Sequence, residues 1–401
     1  MKESISIGVV GLGARGLEAV RRLSTIPGVR VAAVCDADRS RAAGVAAERS
    51  AAGASPNIYA GPEGWRALCD DDLDLVYVTA PWHMHVPVAL AAMAAGKAAA
   101  VEVPAALTVE DCWALVEASE STGMPCVQLE NCCYGEIELL AKRLVSLGML
   151  GTVVHAEGGY VHRLFGPGSP GDELWRAEWN LTHRGNQYAT HALGPICMML
   201  GIGAEDRLDH LVSLECAPYD FSEFVREQGL EVTGRMMGDH NTTLIRTKLG
   251  RSILLRHDVA SIRERTRGLH IQGTLGVLND DPFRIAWTSS ESGGAEEWLM
   301  PEALKLVREA YRHPLWKMYG ERARTVDKHG GMAWLMDFRL VEALREGRSA
   351  DTNVYDLAEW CSIAELSERS VDSKSASVDI PDFRRGTSKG CEPEKRVEPT
   401  I

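Results

Sequence analysis

The chain has 401 residues and a formal net charge of −13, from 43 Lys and Arg against 56 Asp and Glu. That balance excludes nucleic acid or an anionic membrane surface as the main partner, since both would repel it. The length suffices for a large core and predicts two domains. Ten cysteines are scattered along the chain without a Cys-x-x-Cys or a Cys/His ligand spacing. This is the usage of a reduced cytosolic protein and excludes a disulfide framework or a zinc site; no metal is expected. The first residues lack an apolar signal core and a twin-arginine pair, and the Ala-rich run at 86–100 is too short for a bilayer. The expectation is a soluble, cytoplasmic protein that neither enters a membrane nor binds nucleic acid.

Residues 5–36 read as a strand, a turn carrying Gly11, Gly13 and Gly16, a helix, and a second strand ending in Asp36. Gly11 permits the tight turn, Gly13 lets backbone approach a pyrophosphate, and Gly16 lets the helix pack on the sheet. The helix N-terminus then offers free N–H groups and its dipole to the phosphates. Asp36 suits a ribose diol and would repel a 2′-phosphate, so the pattern points to NAD rather than NADP.

Further along, residues 73–80, 98–103 and 125–129 read as buried strands. Residues 86–95, 109–122 and 135–147 read as helices between and after them. Repeated βα units predict a Rossmann-type, doubly wound parallel sheet. Near residue 151 the character changes. Residues 152–161, 211–215, 242–247, 252–257 and 268–273 read as strands with few helices between them, the mark of a large, mostly antiparallel open sheet. Helical character returns at 332–346 and 356–369. The fold class is therefore α/β, with an N-terminal Rossmann sheet followed by an α+β domain. The expected boundaries are 1–150 for the dinucleotide domain, 151–372 for the substrate and oligomerisation domain, and 373–401 for a tail loosely held over its last dozen residues.

Two segments fall at strand ends of the first sheet, where such folds bind ligands. They are Pro81 to His85, with Trp82 and His85 placed to touch ribose or nicotinamide, and Glu102 to Pro104. The densest polar and aromatic cluster spans 157–195. Tyr160 and His162 share one face of a strand. Trp175, Arg176, Trp179, His183 and Arg184 follow, then Tyr188 and His191, three apart at the start of a helix and pointing the same way. A phenol, an imidazole and a guanidinium beside exposed indoles suit a carbohydrate, and histidine is the acid/base best placed near neutral pH. His155 or His183 alone reads as a satisfied structural residue. Trp298, Trp316, Trp334 and Trp360 read as core, and Asp70 to Asp72 as a solvated turn. No carboxylate pair is placed for a two-carboxylate glycosidase mechanism.

These features resemble the glucose-fructose oxidoreductase-like (Gfo/Idh/MocA) superfamily. Several stretches look closer to glycoside hydrolase family 109, the NAD-dependent α-N-acetylgalactosaminidases. The stretches are Glu-Asn-Cys-Cys-Tyr at 130–134, His-Ala-Glu-Gly-Gly-Tyr-Val-His at 155–162, Trp175-Arg176 and Gly-Asn-Gln-Tyr-Ala-Thr-His-Ala-Leu-Gly-Pro at 185–195. Others are His-Gly-Gly-Met at 329–332, Val-Tyr-Asp at 354–356 and Pro-Asp-Phe-Arg-Arg-Gly at 381–386. The resemblance implies that Ala14, Arg15, Asp36, Trp82, His85, Glu102, Val103 and Asn131 line a tightly bound NAD. It implies that Glu130, Tyr160, Arg176, Tyr188 and His191 meet the sugar. Sugar dehydrogenases of the superfamily usually carry Lys where Val103 stands, so acid/base work passes to Tyr160, Tyr188 or His191.

The implied mechanism is transient oxidation at sugar carbon 3, loss of the carbon-2 proton, departure of the aglycone, addition of water and re-reduction, which recycles the NAD. Tyr160, assisted by His162, is the candidate base; His191 or Tyr188 is the candidate acid. Ala189 stands where the family has proline, Arg163 where it has an acid, and Arg263 to Arg265 where it has an Arg-Pro-Tyr-like segment. These changes point to a different sugar or aglycone, and the added cations would suit an acidic one. The alternatives are an NAD-dependent sugar or polyol dehydrogenase, and a dinucleotide-binding regulatory protein without turnover. The open sheet of the superfamily implies a homo-oligomer, a dimer or tetramer.

Overall fold

The computed structural model describes residues 2–169, 174–232, 234–288 and 297–386. Contacts divide the chain into two compact units, one of residues 1–135 and 315–361 and one of residues 136–314 and 362–401.

The first unit holds six strands: β1 (Ile5–Val10), β2 (Val29–Asp36), β3 (Asn57–Ala60), β4 (Leu75–Val78), β5 (Ala98–Val101) and β6 (Cys126–Gln128). They lie in the order β3-β2-β1-β4-β5-β6 and every pairing is parallel. The order reverses between β1 and β4, which opens a crevice at their carboxyl ends. Leu75–Val78 and Ala98–Val101 are buried at every position, because both faces of a parallel sheet are covered and apolar residues need not alternate.

The helix Val109–Thr122 forms where its signals place it. Thr108 accepts from Asp111 N at 3.0 Å, and Gly123 ends the helix in the left-handed region. The helix expected from residue 86 instead begins at Trp82. The polar run before residue 86 reads as a loop, but His85 is tied to the carbonyls of Ala80 and Pro104, which secures the first turn.

Helices from the last third of the chain also belong to this unit. Arg22 of the helix Ala14–Leu23 pairs with Asp337 of the helix Met332–Glu346 at 3.0 Å, and Tyr77 Oη of β4 donates to the same carboxylate at 2.8 Å. All three side chains are buried. Trp316, Trp334 and Trp360 are core as expected, whereas Trp298, in the second unit, is 39% exposed beneath the Arg284 guanidinium. A cation over its face lets that indole remain at the surface.

The second unit has eight strands: β7 (Val153–Val161), β8 (Leu208–Glu215), β9 (His240–Thr247), β10 (Ser252–Asp258), β11 (His270–Gly273), β12 (Gly276–Asp280), β13 (Phe283–Trp287) and β14 (Val378–Asp379). Their order is β13-β12-β11-β7-β10-β9-β8-β14, antiparallel except for β7 with β10. The hairpin β12–β13 was not legible because two short strands with charged ends flank Asp281-Pro282, which reads as an isolated turn. The helices Tyr219–Glu227 and Pro301–Tyr311 of this unit, and Pro314–Val326, nearly all of it in the first unit, also exceed the few expected after residue 151. Phe165, Phe221, Phe224, Met237 and Val259 form a core against which Tyr160 packs.

Every cysteine among the described residues is a free thiol, and eight of these are buried. No described helix is long and apolar enough to cross a membrane. Of the tail expected at 373–401, Val378–Asp379 form β14 against β8, and the last dozen residues, those expected to be loosely held, lie outside the described residues.

Candidate functional site

In the first unit, Gly11 has φ of +91°, and a Cβ there would lie 2.6 Å from Ala80 N. Glycine is therefore required twice over, by conformation and by space. A Cβ on Gly16 would lie 1.9 Å from Gly11 O, so the helix Ala14–Leu23 packs onto the turn that precedes it. Gly13 differs. It is the N-cap, no side chain caps the helix, and a Cβ there would meet nothing within 4 Å. An uncapped helix N-terminus beside open space is what a pyrophosphate requires. Asp36 closes the arrangement: Oδ2 accepts from Leu12 N at 2.7 Å and Oδ1 from Asp38 N at 2.8 Å. A carboxylate accepts about four hydrogen bonds, so Asp36 can brace the turn and still receive a ribose diol. These residues fit the dinucleotide that the sequence implies.

Arg15 lies in a cluster that sequence reading did not assemble. Its Nη1 donates to His329 Nε2 at 2.7 Å, and its Nε lies 3.6 Å from Glu102. That contact makes His329 Nε2 the acceptor and leaves Nδ1–H facing Asp327 at 3.4 Å. Burial opposes ionisation of Asp327, yet bonds from His329 and from the backbone N–H groups of His329 and Ala333 hold its carboxyl down to about 2. The signal was the His-Gly-Gly motif at 329–331, whose partner Arg15 lies over three hundred residues earlier.

Trp82 is buried at the start of its helix. His85 is 1% exposed, with Nδ1 2.8 Å from Pro104 O and Nε2 2.7 Å from Ala80 O. Burial lowers its pKa against the opposing pull of the two carbonyls. This ring fastens two loops at the sheet edge. Glu102 accepts from Val103 N, and Val103 is buried at 4% exposure. Glu130 accepts from Cys132 N at 3.2 Å, opening the short 3₁₀ turn Asn131–Tyr134, in which Asn131 is buried.

In the second unit four of the five expected sugar residues come together, Glu130 belonging to the first. Gly158 has no Cβ to strike Ala192, which would lie at 2.8 Å, so the helix Thr190–Leu200 sits close on β7. Two residues on, Tyr160 points to the same face. Its ring centroid lies 4.4 Å from Tyr188 and 5.5 Å from His191, and Tyr188 and His191 meet edge to face at 4.9 Å. The Arg176 guanidinium lies over Tyr188 at 4.8 Å. A phenol pair, an imidazole and a cation thus converge on one spot, where proton transfer and binding of a hydroxylated ring can coincide. Tyr188 precedes the helix rather than opening it. His162 lies one residue beyond β7, 6.0 Å from Tyr160 in an edge contact.

Other cluster members are occupied elsewhere. Trp179 stacks on His183 at 3.6 Å and donates to Gln187 at 3.0 Å. His155 pairs with Ser252 and with Glu157. Trp175 is 42% exposed. Arg163 donates to Pro167 O, and Arg263 lies 4.0 Å from Asp258. Sequence reading missed His257. Its signal was the alternation of Ile253, Leu255 and His257 on β10, which aims an imidazole toward the covered face.

A parallel-sheet unit with a dinucleotide turn and a unit built on an open mixed sheet define an enzyme of the Gfo/Idh/MocA oxidoreductase class, with NAD as its cofactor. Residues 5–129 match the family described as an oxidoreductase family with an NAD-binding Rossmann fold. Residues 134–390 match the C-terminal domain of glycosyl hydrolase 109, and the chain belongs to glycoside hydrolase family 109. It is 39% identical over 406 residues to glycosyl hydrolase family 109 protein 4 of Phocaeicola vulgatus, covering 96% of this chain and 79% of that protein. It is 37% identical over 402 residues to an alpha-N-acetylgalactosaminidase of Bacteroides fragilis, covering 96% and 93%. Levoglucosan dehydrogenase, solved with NADH and L-sorbose, shares the fold with a TM-score of 0.72 at 19% identity, over 95% of this chain and all of that one.

Proposed function

We propose that the protein is an NAD-dependent glycosidase that cleaves α-N-acetylgalactosaminides or related glycosides by transient oxidation at carbon 3, elimination, water addition and re-reduction. The observation that carries this reading is the convergence of Tyr160, Tyr188, His191 and Arg176. The glycine turn, Arg15, Asp36, Glu102 and Asn131 hold the cofactor, which when bound supplies a reversible hydride acceptor for the sugar. Tyr160 takes the proton from carbon 2, with His162 at its edge. His191 or Tyr188 gives a proton to the departing aglycone oxygen, and Arg176 and Glu130 bind sugar oxygens. The named relatives support this reading, one of them being an alpha-N-acetylgalactosaminidase. Val103 favours it over net sugar oxidation, since a buried valine carries no proton.

The test is a panel of p-nitrophenyl glycosides, followed by free sugars, with nitrophenol and NADH absorbance recorded together. Nitrophenol release without net NADH supports the glycosidase. Steady NADH growth from a free sugar replaces it with a dehydrogenase. We also read the chain as a homo-oligomer, in line with the exposed Val154, Leu214 and Leu244 on strands of the open sheet. Light scattering that gives the 43.8 kDa mass would refute this.

A further inference from the structure

β10 runs parallel to β7, and the register sets His257 beside Tyr160 and Leu255 beside Gly158. Side chains at paired positions of neighbouring strands share a face. His257 therefore projects toward the same side as Tyr160, the side that receives the helix Thr190–Leu200. The two rings are nearly parallel, 19° apart, with centroids 6.3 Å apart. On its other side His257 is paired with Asn241 of β9, which is fully buried and bonded to Ser213 and Thr243. The imidazole is 3% exposed, and its Nδ1 is buried without a hydrogen-bond partner.

Two consequences follow for the chemistry of that ring. It stays neutral: burial is the largest cause, Arg176 and His240 add to it, Asp258 opposes it, and the pKa falls to about 3. Near neutral pH it can act neither as acid nor as base. Its single N–H belongs on Nε2, since an unmatched lone pair on the buried Nδ1 is tolerated better than an orphaned N–H. His257 thus presents one fixed, uncharged donor in the row of side chains that contains Tyr160.

We propose that His257 is a positioning residue for Tyr160, whose Nε2–H, acting through one bridging hydroxyl oxygen, steadies the phenol oxygen as it gives up its proton. The bridge is a water molecule or a hydroxyl of the sugar. This rests on Tyr160 being the carbon-2 base. A neutral donor suits the task, because it favours the phenolate without supplying a second proton that could quench it.

The experiment is an ultraviolet difference titration of the holoenzyme, paired with kinetics. Subtracting the Tyr160→Phe spectrum from wild type isolates the Tyr160 phenol, and the same subtraction is made in a His257→Leu background. Tyr188, His162, His191, Arg176, His240 and Asp258 also face this site, and all are kept in both members of each pair. His257→Leu should raise the Tyr160 midpoint by about one pH unit, the loss expected for one removed hydrogen bond to the charged form. It should lower kcat roughly tenfold to a hundredfold with KM within about threefold. His257→Gln, which returns an N–H near the Nε2 position, should recover most of both, and His257→Met, which also lacks the donor, replaces the leucine variant in the titration if that one fails to fold. An unchanged Tyr160 midpoint in a folded variant that lacks the donor, leucine or methionine, overturns the proposal, whatever the activity. Wild-type enzyme that cleaves no glycoside while the midpoint shifts overturns the glycosidase reading and leaves the link between the two rings standing.

Discussion

Tyr160 and Tyr188 lie ring against ring, centroids 4.4 Å apart and planes inclined by 37°, with Arg176 stacked on the second ring. Each ring is part of the other's support. Tyr188→Phe keeps the stack and removes only the hydroxyl, so thermal unfolding should stay near wild type while turnover falls. Tyr188→Ala should destabilise by about 3–5 kcal/mol, the usual cost of truncating a buried aromatic. Equal melting temperatures for the phenylalanine and alanine variants would show that the stack does not brace the site.

His191→Ala should lower turnover by roughly 10²- to 10⁴-fold, the range for a lost general acid or base. Bound NAD should be retained, because the glycine turn belongs to the first unit and His191 to the second. Cofactor content after gel filtration and nitrophenol release from a glycoside check both halves. Undiminished release would remove His191 from the mechanism.

Gly13 and Gly16 should behave oppositely. A Cβ on Gly13 meets nothing within 4 Å, so Gly13→Val should fold normally and lose the cofactor to a clash with the pyrophosphate. A Cβ on Gly16 meets Gly11 O at 1.9 Å, so Gly16→Val should lower the melting temperature even without cofactor. A Gly13→Val protein purified with full NAD would refute the placement of the phosphates.

The buried Arg22–Asp337 pair predicts a double-mutant result. Asp337→Leu leaves a guanidinium 3% exposed with its partner gone, which should cost about 3–5 kcal/mol in urea unfolding. Arg22→Met combined with Asp337→Leu should recover much of that loss, since no buried charge remains. Additive losses would show that the pair is not coupled.

Acid should destabilise the protein in a particular window. His257 stays neutral down to about pH 3, and burial lowers His85 as well. In the unfolded chain both accept protons near pH 6.5, so below that value the unfolded state binds protons that the folded state refuses. Stability is then lost as pH falls, by up to about 1.4 kcal/mol per pH unit for each such group. Asp327, held down to about 2, extends the loss at still lower pH. Urea midpoints should drop between pH 7 and pH 5, less steeply in His257→Leu; identical slopes would mean that His257 is protonated in the fold.

Much of the first unit was legible because its signals are local. The turn with Gly11, Gly13 and Gly16, the acid at the end of β2 and the capped helix Val109–Thr122 each depend on neighbours within a few dozen residues. The cluster of Tyr160, Tyr188 and His191 was legible as residue types close together in the sequence, but helix periodicity does not direct Tyr188, which lies before the helix Thr190–Leu200. His329 was visible only as a motif, because its partner Arg15 becomes a neighbour through folding. The helices Pro301–Tyr311 and Pro314–Val326 were not expected; the first carries a helical apolar period at Ala303, Leu306, Val307 and Ala310 yet has no buried residue.

By itself the sequence determined the parallel sheet, the dinucleotide turn and the chemical types at the site, since these follow from backbone conformation and side-chain periodicity along short stretches. Only the tertiary structure decided which distant residues share a unit, and hence that Asp337 neutralises Arg22 and that His257 stands beside Tyr160. The reason is register: the pairing of β10 with β7 joins segments almost a hundred residues apart. A one-residue slip there would turn His257 to the opposite face, and nothing local to either strand specifies that alignment.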